Sequence, residues 1–93
     1  MLPFLLFAYR LPSEPSAPRV AIWRALKKLG GAYVNDGAFL TRNSEQNLVT
    51  LRDLSASVRN DGGVAAVLEI VPMEDERHLL AMRQDDEPKK KRS

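Results

Sequence analysis

The residues of this chain best placed to do chemistry are cations. Arg24 and Lys28 stand four positions apart with Lys27 beside them, Arg19 lies five positions before Arg24, and Arg10 and Arg42 close apolar runs. On a helix, residues four apart line up along one side, and a stripe of cations there can neutralise phosphates along a nucleic-acid duplex. Such contacts give affinity and orientation without reading base sequence. The plainer account of the same stripe is the solvated face of an amphipathic helix, where charge serves solubility alone. Arg19 has its own alternatives. It opens the helix on the Trp23/Leu26 side, so its stem can pack on the core with its head paired to Glu14 or Glu69, and anion binding at the helix start comes second. Trp23, beside Ile22 and Leu26, is expected to be a core residue before it is a base-stacking platform.

Other chemistries lack their residues. The chain has no Cys, so a disulfide framework, a zinc-thiolate site and a thiol nucleophile are excluded. His78 is the only His and lies in a polar stretch with no second His to share a metal or a triad, so it reads as a solvated side chain. Near Arg10 the one acid is Glu14, whereas a divalent cation needs several converging oxygens. The expectation is a protein that is not an enzyme and uses no metal or cofactor.

Elements that would position the cations can be read from the pattern. Phe4 to Arg10 is a seven-residue apolar and aromatic run ending before Leu11-Pro12, a strand by length and type, with both faces apolar as a central strand requires. The three prolines between Leu11 and Pro18 make a loop of restricted φ. Ser16 is placed to cap a helix beginning at Ala17-Pro18. At 100° per residue, Ile22, Trp23, Leu26 and Leu29 fall on one side and Arg24, Lys27 and Lys28 on the other. Gly30-Gly31 ends the helix. Asn35-Asp36-Gly37 joins two short strands, 32–35 and 38–41, in a hairpin. A second helix is capped by Asn43 or Ser44, turns Leu48, Leu51, Leu54 and Val58 inward and stops at the 60–63 turn, and a last strand runs from Val64 to Val71. Beyond Pro72, residues 73–84 have the pattern of a short amphipathic helix. Residues 85–93, an acidic block and then Lys89 to Arg92, read as a disordered tail whose basic end is first a by-product of where the reading frame ends and second a source of nonspecific attraction for phosphate.

The order β-α-β-β-α-β with right-handed crossovers gives an α+β ferredoxin-like sandwich over residues 1–72: a four-stranded antiparallel sheet with both helices on one face. Its uncovered face is expected to show Phe or Tyr side chains and to serve as a homodimer interface. At 93 residues, 44% hydrophobic and 28% charged, with a mean hydropathy of −0.30, the chain has room for one small globular domain. The net charge is only +2, but residues 10–42 carry six bases against two acids, a net of +4, so an anionic partner belongs to the front half. The apolar start lacks the basic flank and the length of a signal peptide, and no run approaches a membrane span. A cytoplasmic location is the expectation.

The run Leu11-Pro12-Ser13-Glu14-Pro15-Ser16-Ala17-Pro18-Arg19-Val20, followed by Trp23-Arg24-Ala25-Leu26-Lys27-Lys28-Leu29-Gly30, resembles the N-terminal domain of the ChrB chromate-resistance regulators. The resemblance continues through the 33–40 hairpin and the strand from Gly62-Gly63 to Glu69. It implies a cytoplasmic repressor that occupies promoter DNA and releases it when chromate, the effector, enters. Members of the family are usually longer, so the chain reads as a truncated or stand-alone N-terminal domain, with dimerisation here and DNA contact and chromate sensing in the missing part as the alternative. At the level of fold alone, the pattern is similar to the small nuclease-like subunits of CRISPR integration complexes and to the central domain of phenylacetate-pathway repressors. Those nuclease-like relatives place a metal-holding acid at the end of the first strand, where this chain has Tyr9-Arg10-Leu11.

Overall fold

A computed structural model describes residues 2–71 and 73. The helix expected over 73–84, the charged stretch 85–93 and His78 lie outside the described residues, apart from Met73, which is exposed.

Six elements follow one another: β1 (Phe4–Arg10), α1 (Ala17–Leu29), β2 (Ala32–Asn35), β3 (Ala38–Arg42), α2 (Glu45–Asn60) and β4 (Val64–Ile70). The strands form one antiparallel sheet in the order β2-β3-β1-β4, the ferredoxin-like arrangement, with β1 and β3 central. Phe7 lies opposite Phe39 on one side and Val67 on the other, which fixes the register of the three longest strands. Successive strand residues alternate between faces, so Leu5, Phe7 and Phe39 point one way. They meet Ile22 and Leu26 of α1 and Leu51 and Val58 of α2, and this single cluster is the core.

Side chains satisfy polar groups at the start of α2 and at the end of α1. The Ser44 hydroxyl accepts the Asn47 N–H at 3.0 Å and caps α2, whose first turn has Glu45 to complement the helix dipole. Ser16 stands at the start of α1 as expected, but its hydroxyl makes no capping bond. Its backbone is helical rather than extended, and Pro18 removes one of the N–H groups a cap would serve. The Thr41 hydroxyl donates to the Gly30 carbonyl at 2.6 Å, tying the exit of α1 to β3. Buried Ser55, which the apolar pattern of α2 did not announce, accepts from Arg59 at 2.7 Å. The Asp36-Gly37 turn closes the hairpin with Gly37 at φ 81°, and the Gly37 carbonyl accepts the Tyr9 N–H at 2.8 Å.

The sheet face away from the helices differs from expectation in its residues. No aromatic ring is exposed there. Phe4 is 3% exposed, with the Arg42 guanidinium 5.9 Å from its ring, and Tyr9 and Tyr33 belong to the helix side, where their hydroxyls bond each other at 2.9 Å. The exposed apolar side chains of that face include the aliphatic Val64 at 65% and Leu68 at 45%, both on the edge strand β4.

Candidate nucleic-acid interface

α1 carries four cations, Arg19, Arg24, Lys27 and Lys28, and no acid. All four are exposed. An ordinary solvated helix face mixes signs along its length, and α2 does so with Glu45 and Asp53 among Arg52 and Arg59. On α1 nothing offsets the charge along the helix, although Lys27 and Lys28 also suit the negative end of its dipole. Ile22 and Leu26 are buried against the sheet, which turns Arg24 and Lys28 directly outward, about 6 Å apart along the axis.

Trp23 is not a core residue: it is 43% exposed, and the Lys27 ammonium lies 5.0 Å from its ring. One residue past Ile22, it is rotated by about 100° from the buried stripe, beyond the edge that the sheet covers. It stands instead on a flank with Arg19 and Lys27, one turn away on either side.

That flank faces a cavity of about 460 Å³ between the start of α1, the end of β1 and the β2–β3 turn. Arg10, Arg19, Trp23, Tyr9, Tyr33 and Asp36 line it, with Leu11 and Gly37. Arg19 therefore lines this cavity instead of pairing with Glu14 or Glu69. Glu69 is at the opposite end of the sheet, where it accepts the Leu2 N–H at 3.4 Å, and among the described residues no ion pair joins Arg19 to Glu14. The six sequence-derived residues thus fall into three places. Arg24, Lys27 and Lys28 share the outer side of α1, and Arg10 and Arg19 meet at the cavity. Arg42 pairs with Phe4 at the other end of β1, about 20 Å from Arg10. The cavity has no signature in the linear sequence, since it joins segments separated by whole elements.

Among the described residues, no group of three or more His, Cys, Asp or Glu could hold a metal ion, and no helix is long and apolar enough to cross a membrane. The chain is 28% identical over 74 residues to Protein ChrB of Cupriavidus metallidurans, a match that covers 80% of this chain and 23% of that protein. The chain thus spans about a quarter of the length of the relative it matches. The family model described as Protein ChrB, N-terminal, matches residues 19–87, beginning within α1 and running past β4. With three quarters of its length matched in this way, the chain belongs to the ChrB N-terminal family.

Proposed function

We propose that the domain is the DNA-contacting part of a chromate-resistance-type transcriptional regulator, holding promoter DNA by its phosphates along the outer side of α1. The observation that supports this reading most is the unbroken positive charge of α1, four exposed cations with no acid, three of which, Arg24, Lys27 and Lys28, lie on the side turned away from the buried Ile22 and Leu26. Arg24, Lys27 and Lys28 make the phosphate contacts, and Arg10, Arg19 and Arg42 are second-tier contacts. Response to chromate is assigned to the longer kind of protein that the relative represents, about three quarters of which lies outside the matched segment. The domain acts as a binding module and not as an enzyme, in the cytoplasm.

In a gel shift at about 0.1 M salt, the Arg24→Ala/Lys28→Ala double variant is expected to bind a promoter duplex roughly 50-fold more weakly, since each lost phosphate contact is worth close to tenfold at that salt. The loss should be equal on an unrelated duplex, because phosphate contacts carry no sequence information. Unchanged binding by the double variant would remove α1 from the interface.

A second reading is favoured by the exposed Val64 and Leu68 and by Ala8, Ala38 and Ala66, which the register places side by side on three strands of the open face. Small side chains there leave a shallow trough of about 440 Å³, and a second copy of the chain covering it would form a homodimer through the sheet. Light scattering is expected to give a dimer mass for the wild type and a monomer mass for Val64→Asp/Leu68→Asp. A monomeric wild type, or a double variant that stays dimeric, would discard this interface.

A further inference from the structure

The cavity at the start of α1 has a composition that phosphate contact along a duplex does not call for. Its volume of about 460 Å³ falls within the roughly 300–1,000 Å³ range of small-ligand sites. An inorganic oxyanion, a few times the size of a water molecule, would leave most of it empty. Three of its eight lining residues are aromatic: Trp23, which is 43% exposed, and Tyr9 and Tyr33, whose hydroxyls bond each other. Tyr9 is braced by stacking on Phe7, with centroids 5.1 Å apart, and Tyr33 by an edge contact with Phe39 at 5.2 Å, so these walls are anchored in the core. Two cations, Arg10 and Arg19, supply a net positive charge against the single carboxylate of Asp36.

Asp36 distinguishes between ligands. A bare anion held by the two arginines would be repelled by it. A planar ring with N–H donors would not, because a carboxylate accepts hydrogen bonds from ring imino and amino groups. We propose that this cavity binds a nucleotide unit: the base lies against Trp23 and the tyrosines, its N–H edge faces Asp36, and its phosphate is held by Arg10 and Arg19. Base stacking on aromatic residues is favourable for every base, and paired arginine and phosphate give the short charge-assisted bonds that fix orientation. The unit can come from a free mononucleotide or from an unpaired position of a nucleic-acid strand. In duplex binding along α1 Arg10 and Arg19 are only second-tier contacts beside Arg24, Lys27 and Lys28, so either activity can fail without the other.

Trp23 is the only tryptophan of the chain, so its fluorescence reports on the cavity directly. The wild type is titrated with guanosine 5′-monophosphate, with inorganic phosphate, with guanosine, and with a single-stranded octanucleotide of thymidines and one guanosine. Saturable quenching by the monophosphate, the octanucleotide or both is expected, and the pattern identifies the source of the unit. Phosphate and guanosine alone should each bind at least about tenfold more weakly than the monophosphate. Arg19→Gln and Asp36→Asn, both at exposed positions where substitution leaves folding intact, should weaken the response about tenfold or more, while Arg24→Ala/Lys28→Ala should retain it. Absence of saturable quenching by both nucleotide probes would overturn the proposal. So would phosphate binding as tightly as the monophosphate, or a response lost in Arg24→Ala/Lys28→Ala and kept in Arg19→Gln.

Discussion

Phe7→Ala is expected to cost about 3–5 kcal/mol of folding stability, the range for removing a buried ring from a packed core. Phe7 is fully buried at the centre of the sheet, opposite both Phe39 and Val67, and it stacks on Tyr9. Helices cannot follow the ring inward without breaking the β1 register, so the cavity would stay largely unfilled. A domain of this length has about 5–14 kcal/mol in total, so the variant should lose at least about a fifth of its stability and shift its urea midpoint accordingly. A loss below about 1 kcal/mol would mean that the two helices do not share one core on this face.

Gly31→Ala should be nearly as damaging, at about 3 kcal/mol, the upper end for forcing extra atoms into a packed site. A Cβ at Gly31 would run into the Leu40 carbonyl oxygen and come within 2.8 Å of the Phe39 ring, so the exit of α1 would have to lift from β3. The neighbouring Gly30 provides the control. It has φ 86° and ψ 113° with open space around it, so Gly30→Ala meets no clash and should cost less than Gly31→Ala, about 1–2 kcal/mol from the positive φ alone. Equal urea midpoints for the two variants would show that strand and helix are not in close contact there. The same displacement would break the Thr41–Gly30 bond that holds the end of α1, and with it the setting of Lys27 and Lys28.

Most of this architecture can be read along the chain because local signals agree. The apolar run from Phe4 to Arg10, the Asp36-Gly37 turn and the Ser44 cap each name an element whose ends the structure places within a residue or so. Their β-α-β-β-α-β order leaves one compact sheet topology, which is the one found. Facing was harder to read. Trp23 sits one helical step beyond Ile22, and composition alone does not say where the sheet stops covering the helix. Likewise β1 is apolar on both faces, so alternation could not tell that Tyr9 would turn to the helices or that Phe4 would be buried beneath Arg42. The cationic stripe of α1 was legible because it depends on one helix and its period. The aromatic cavity was not, because Arg10, Arg19 and Asp36 come together only when β1, α1 and the hairpin are assembled.

The dependence of duplex affinity on salt tests the role of α1 most directly. With Arg24, Lys27 and Lys28 each on a phosphate, log affinity should fall against log salt with a slope of about −3 for the wild type, and of about −1 for Arg24→Ala/Lys28→Ala. Equal slopes for the two proteins, or no duplex binding by the wild type at about 50 mM salt, would contradict the account.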